Sequence, residues 1–221
     1  MKRLVIAIDG PSGAGKGTIS RTLSETLGYR HIDTGAMYRA VGWKALQEQL
    51  SLDDEAAIAA LAQRADIVVE GGVVSIDGHD VTRAIRTPEI DKAATAVARL
   101  PRVREVLVAR QRALGAGGGI VMEGRDIGTV VFPDADVKIY LDAAPEERAR
   151  RRANDPAHTG SQGGQAAVAA AIQARDTADT TRTVSPLTLA DDAVRIDTTH
   201  MPIAEVVERV LALVRARLGA V

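Results

Sequence analysis

The hydrophobic pattern of the chain has two textures, short unbroken apolar runs and longer amphipathic stretches. Leu4 to Ile8 is an unbroken run, as expected of a strand buried on both faces. A glycine-rich turn follows, and the spacing then predicts a helix through about Leu27. His31 to Asp33 reads as a short second strand, with helices over Ala36 to about Leu50 and Glu55 to Gln63. From Asp66 to Thr82 the texture changes to β-branched residues broken by Gly71-Gly72 and Asp77-Gly78. Both dipeptides favour the positive φ of hairpin turns, which predicts a small antiparallel insert.

Two helices are expected next, near Pro88 to Ala98 and Pro101 to Leu114. Arg110 lies on the apolar stripe of the second, where a snorkelling side chain is the simpler reading. Buried strands are predicted at Ile120 to Met122 and Val137 to Leu141. Pro145 opens a helix whose first turn holds Glu146 and Glu147, where the helix dipole favours acids. Asn154 to Gly164 is loop-like, with three Gly and one Pro. A helix from about Gln165 to Asp176, a strand at Val194 to Ile196 and a helix from Ile203 to Leu218 complete the pattern. Strands alternating with helices predict an α/β fold, a parallel sheet covered on both faces.

The 221 residues suffice for one compact domain, expected to be a single unit over 1–221. Apolar residues make up 46% but aromatics only 2%, so the core must be built from Ala, Val, Leu and Ile. The formal charge of -1 argues against a nucleic-acid binder, which needs a basic excess. The three Tyr, one Phe and one Trp offer little for base stacking. There are no cysteines, hence no disulfides or thiolate metal sites. With no signal peptide read before the first strand and no apolar run near the roughly 20 residues a membrane helix needs, a soluble cytoplasmic protein is expected.

Gly10 to Thr18 reads GPSGAGKGT between a buried strand and a helix, the setting of a phosphate-binding P-loop. Gly10, Pro11, Ser12, Gly13, Ala14, Gly15, Lys16, Gly17 and Thr18 are therefore the candidate ATP contacts. Inward-pointing backbone N–H groups and a helix N-terminus suit phosphate, and Lys16 can follow charge onto a moving γ-phosphoryl group. The common pattern has Ser or Thr directly after the lysine, whereas Gly17 intervenes here before Thr18. That departure weakens the case for a hydroxyl at position 17 on Mg²⁺ and leans towards small kinases.

Basic residues outside the loop gather at Arg39, at Arg102 with Arg104, at Arg125, at Arg148, Arg151 and Arg152, and at Arg175 with Arg182. Phosphoryl transfer is mainly positioning and charge stabilisation, and needs such groups. DTGAMYR (Asp33 to Arg39) should stand at the carboxyl edge of the sheet, offering Thr34 and Arg39 to a phosphate. EGRDIGT (Glu123 to Thr129) sets a Glu, an Arg and an Asp at a strand end, costly unless they serve a site or pair together. In RDTADTTR, Arg175, Asp179 and Arg182 share one face if helical, where a plain helical ion pair is the simpler alternative.

GPSGAGKGT, DTGAMYR, PRVRE, GRDIGTVVFPDADVKIYLDA and RDTADTTR, in this order and spacing, resemble the bacterial cytidylate kinases over essentially the whole chain. The resemblance implies a P-loop nucleoside monophosphate kinase: a five-stranded parallel core sheet, a monophosphate-binding insert over about 38–100 carrying the hairpin, and a lid near 148–165. It implies reversible transfer of the ATP γ-phosphoryl group to CMP or dCMP, with Mg²⁺ accompanying ATP. Carried over by motif, Thr34, Arg39, Arg125 and Arg182 would hold the CMP phosphate. Thr95, Arg104 and Asp126 would read cytosine, and Arg175 and Asp179 would meet the sugar. Arg148 and Arg152, four apart on one helix face, would bridge the phosphates from the lid. Lys16, Arg125, Arg148, Arg152 and Arg182 are then the expected catalytic set. Glu123 has two roles open to it, ordering Mg²⁺ through water or orienting Arg125. A monomer is expected, since lid and insert must both move.

Two other readings compete. One is another P-loop small-molecule kinase, acting on a different monophosphate or on a metabolite hydroxyl; a hydroxyl acceptor would need a base beside it, and none announces itself. A nucleotide-gated regulatory ATPase would show an apolar strand ending in a Mg²⁺-binding Asp, at best degenerate here at Met122-Glu123.

Overall fold

The computed structural model describes residues 3–155 and 164–219. Its centre is a five-stranded sheet built from β1 (Val5–Asp9), β2 (Arg30–Asp33), β6 (Ile120–Gly124), β7 (Val137–Asp142) and β8 (Val194–Asp197), in the order β2-β6-β1-β7-β8. Every pairing in it is parallel. The unbroken apolar run puts β1 in the middle, with Ile6, Ala7 and Ile8 fully buried. Register then fixes the site: Asp9 lies opposite Gly124, and Asp33 opposite Glu123, at the carboxyl ends of their strands. That edge, beside the strand-order reversal at β1, is where open α/β sheets bind ligands.

One face of the sheet is covered by α1 (Lys16–Leu27) and α8 (Ile203–Gly219), through Ile19, Leu23, Val210 and Val214 against Ile6, Ile8 and Val121. The other face carries α5 (Pro101–Gly115) and a π-helical turn, Ile127–Val131, through Val108, Ile127 and Val131. The π turn was not legible in the hydrophobic pattern. Its first amides, Ile127 and Gly128, donate to Asp9 at 2.8 and 2.7 Å, which fixes the chain just after β6.

A separate core of Ala, Val, Leu and Ile, with Met37 and Tyr38, joins α2 (Thr34–Gln47), α3 (Glu55–Arg64), α4 (Pro88–Ala98) and α5 to a small antiparallel sheet. That sheet has three strands, β3 (Ile67–Glu70), β4 (Val73–Ile76) and the two-residue β5 (His79–Asp80), where the sequence predicted a hairpin. Both predicted turns have positive φ throughout, 59° and 83° at Gly71-Gly72 and 50° and 75° at Asp77-Gly78.

Helix starts follow local chemistry. The Asp33 carboxylate accepts from Ala36 N–H at 3.1 Å, so α2 begins at Thr34, two residues before the pattern indicated. Thr87 caps α4, and Pro101 and Pro145 open α5 and α6 (Pro145–Ala153). Arg110 does more than snorkel: it donates to Ala65 O at 2.7 Å and Gln63 O at 2.9 Å, closing the end of α3. α7 (Gly164–Thr181) runs past Asp176, where the pattern had ended it. Most of the predicted 154–164 loop, and with it much of the expected lid, lies outside the described residues. Among the described residues no helix is long and apolar enough to cross a membrane.

Candidate active site

The chain leaves β1 through Gly10, whose φ is 145°; a Cβ there would sit 2.0 Å from the Leu141 carbonyl oxygen. Only glycine allows the turn to lie that close to β7. Gly15 takes a left-handed conformation, and α1 starts at Lys16 with its N-terminus facing the loop. Lys16 Nζ donates back to Pro11 O at 2.7 Å across the loop. Burial, with Arg125 nearby, pushes the Lys16 ammonium down to about 7, against the opposing pull of Glu123. Beneath the loop, burial raises Asp9 to about 6 although the Gly128 and Ile127 amides favour its charged form.

The loop is braced from outside. Arg148 on α6 donates to Ser12 O at 3.1 Å and to Ala143 O at 3.0 Å, and pairs with Asp176 of α7. Asp176 accepts from Ser12 N–H at 3.2 Å. Arg151 reaches the far side of the loop, donating to Thr198 Oγ1 at 2.9 Å and Thr198 O at 2.6 Å.

A cavity of about 1080 Å³ runs along the loop. Ser12 to Thr18 line it, together with Arg39, Arg125, Arg151, Arg152, Arg175 and His200. Arg148 does not line it, because its guanidinium is turned into the brace.

Thr34, Thr95, Arg104, Asp126, Asp179 and Arg182 do not line the cavity. Three aspartates are shared among six arginines. Asp91 meets Arg39, Arg152 and Arg175; Asp126 meets Arg104 and, at 3.7 Å, Arg182; Asp179 meets Arg125 at 2.7 Å and Arg182 at 3.7 Å. Arg104 also stacks over the Tyr38 ring, 5.4 Å from its centroid. Burial pushes the Tyr38 hydroxyl up to about 12, so it stays a neutral donor. Burial opposes ionisation of Asp179, yet Arg125, Arg175 and Arg182 hold it below the usual carboxylate range. Buried Nε of Arg104, Nε of Arg175 and Nη2 of Arg182 find no acceptor within hydrogen-bond distance in the protein. Buried donors without partners are costly and rare, and these three flank one site.

Thr34 donates to Glu123 O at 2.7 Å, tying α2 to the end of β6. Thr95 bonds back to the carbonyl of Asp91 at 2.8 Å within its own helix, and no hydrogen bond joins it to Arg104 or Asp126. Sequence reasoning missed Asp9, Tyr38, Asp91 and Asp176. Asp9, Tyr38 and Asp176 had a signal, each adjoining a chosen residue; Asp91 had none, because its partners are far away in the chain.

Among the described residues no three His, Asp or Glu gather into a metal-binding group. Glu123 Oε1 meets His31 Nε2 at 2.8 Å and would lie 3.5 Å from a Cβ on Gly17, beside the phosphate loop. That single carboxylate fits a Mg²⁺ brought in on phosphates and water, not a metal held in a protein cage.

The sequence profile of the family described as cytidylate kinase matches residues 6–216. The chain is 49% identical over 223 residues to the cytidylate kinase of Solibacter usitatus, covering 98% of this chain and 94% of the relative. It is 51% identical over 216 residues to that of Pelotomaculum thermopropionicum, covering 96% of both. In fold it is similar to a gluconokinase from Sinorhizobium meliloti, with a TM-score of 0.53 at 15% identity over 99% of this chain and 96% of the other.

Proposed function

The chain belongs to the cytidylate kinase family, and from that membership and the site we infer how it transfers the γ-phosphoryl group of ATP to CMP or dCMP. The observation that carries the reading is one cavity lined by the phosphate loop and by Arg39, Arg125, Arg152 and Arg175. ATP phosphates lie along Gly10 to Thr18, and the donor base extends towards Arg151 and His200. The acceptor phosphate is held by Arg39, Arg125 and Arg182 with Thr34, its sugar by Arg175 and Asp179, and cytosine by Arg104 and Asp126 with Thr95. Mg²⁺ arriving with ATP would be held by phosphate oxygens and water with Glu123 alongside, and supplies charge neutralisation on the phosphates.

No general base is required, because the attacking oxygen of the monophosphate is already ionised. Lys16 accompanies the transferring group, while Arg125, Arg152 and Arg182 offset charge on its equatorial oxygens. Arg148 acts by bracing the loop through Ser12. This reading takes residues 38–100 as the acceptor-binding insert, residues 148–165 as a lid and the enzyme as a cytoplasmic monomer. A coupled assay with ATP and a panel of nucleoside monophosphates tests the acceptor. CMP and dCMP should lead the panel, and equal turnover of AMP or UMP would remove the cytosine-reading assignment.

A further inference from the structure

Arg39, Arg152 and Arg175 come from three separate helices, α2, α6 and α7, and all meet one carboxylate on a fourth. Asp91 Oδ1 pairs with Arg39 and stands 3.4 Å from Arg175 Nη1, while Oδ2 accepts from Arg152 Nη2 at 2.6 Å. Arg39 is only 5% exposed. Burial, followed by the charge of Arg175, works against its protonated state, and Asp91 works for it. Without an anion there, three cations would repel one another across a desolvated gap.

We propose that Asp91 is an internal stand-in for the acceptor's phosphate, holding these arginines together before CMP arrives and competing with it for Arg39. The proposal rests on the reading of Arg39 as a phosphate-binding residue. A phosphate dianion brings twice the charge of a carboxylate and three terminal oxygens in place of two, so it wins Arg39. Asp91 can give way at modest cost. It sits in the first turn of α4, where the helix dipole favours a negative charge, and its side chain is 22% exposed to water. The carboxylate also ties α6 and α7 to α4, so its displacement links arrival of the acceptor to the contact between those helices.

A supporting role would act the other way. If Asp91 stayed in place and merely positioned the arginines, neutralising it would weaken CMP. The test is calorimetric binding of CMP, with cytidine measured by competition, to wild type, Asp91→Asn and Asp91→Ala. Both variants should bind CMP about fivefold more tightly, the factor that roughly 1 kcal/mol represents, with cytidine unchanged because it lacks the competing group. Melting of the nucleotide-free variants should fall and be restored by inorganic sulfate more than in wild type, which also reports that they fold. CMP affinity unchanged or weakened, or cytidine tightened equally, overturns the proposal. Wild type binding cytidine as tightly as CMP would instead remove the phosphate reading of Arg39 on which it rests.

Discussion

Arg148 and Ser12 are joined across 136 residues of chain by a 3.1 Å hydrogen bond, and the Asp176 partner of Arg148 accepts the Ser12 N–H at 3.2 Å. Both backbone groups of one phosphate-loop residue are therefore held by one ion pair. The loop's shape depends on α6 and α7 as well as on its own glycines.

Arg148→Ala should consequently act on the loop before it acts on chemistry. It leaves Asp176 largely buried without its cation, a loss on the order of 3 kcal/mol for buried pairs. The melting temperature should fall, and KM for ATP should rise more than KM for CMP. A variant with unchanged stability and KM but a much lower kcat would return Arg148 to direct contact with the moving phosphoryl group.

Lys16→Ala should fold, since Lys16 bonds only to its own loop among the described residues. Turnover should drop by about 10²–10³, the usual effect of removing one preorganised contact to transition-state charge. Circular dichroism controls the fold and the coupled assay reads the rate; near-wild-type turnover would detach the loop from catalysis.

Lys16 also predicts a proton balance. Its ammonium is pushed down to about 7 in the protein, from 10.5 unperturbed. Between these values the unfolded chain holds a proton that the folded one lacks, so this group makes stability rise with pH. ATP phosphates raise its affinity for the proton again. ATP binding near pH 8 should take up a large part of one proton, seen as a dependence of binding enthalpy on buffer ionisation heat. Lys16→Met should abolish the uptake, and uptake persisting in that variant would assign it elsewhere.

Asp9 gives the opposite slope. Burial raises it from 3.8 to about 6, so between those values the folded chain holds a proton that the unfolded chain has lost. Its contribution makes stability fall as pH rises across that window. Denaturant melts of wild type and Asp9→Asn at pH 4.5 and 6 should show the variant losing less stability with rising pH. Equal slopes would contradict the shift.

The centre of the sheet was legible because β1 and the Ile120 to Met122 stretch of β6 are uninterrupted apolar runs, and the phosphate loop because glycine spacing and flanking elements agree. The turns at Gly71-Gly72 and Asp77-Gly78 announced themselves through the conformations they require. What stayed hidden is pairing across the fold. Asp91 reads as an ordinary first-turn acid of a helix, yet it meets Arg152, 61 residues away. Arg148 and Arg152 lie on one helix with equal spacing claims, but tertiary contacts send one to the loop and the other to α4. Asp9 and the π turn escaped because backbone amides, which no side-chain pattern records, join them.

The proposed reading of the base rests on a pair that already holds itself together. Arg104 and Asp126 are in direct contact, 2% and 5% exposed, with Arg104 Nη1 also donating to Ala98 O at 3.1 Å. Its Nε is buried without an acceptor, leaving a donor for the ring nitrogen or carbonyl of cytosine, while Asp126 can accept from the 4-amino group. Uracil would set a carbonyl against that carboxylate and N3–H against another donor. Sites built on one hydrogen-bond pattern reject the wrong one by up to about 10⁴–10⁵, and water bridging should keep the ratio lower here. CMP should exceed UMP strongly in kcat/KM for wild type. Asp126→Ala should narrow the gap mainly by losing CMP. That change also strands Arg104, so Asp126→Asn and Arg104→Met serve as variants that leave no bare buried cation or preserve shape. Measuring kcat/KM for CMP and UMP across the four proteins, with melting curves as the folding control, decides it. If wild type uses both bases equally, the scheme is wrong. If discrimination is strong and survives every folded variant, cytosine is read by other residues.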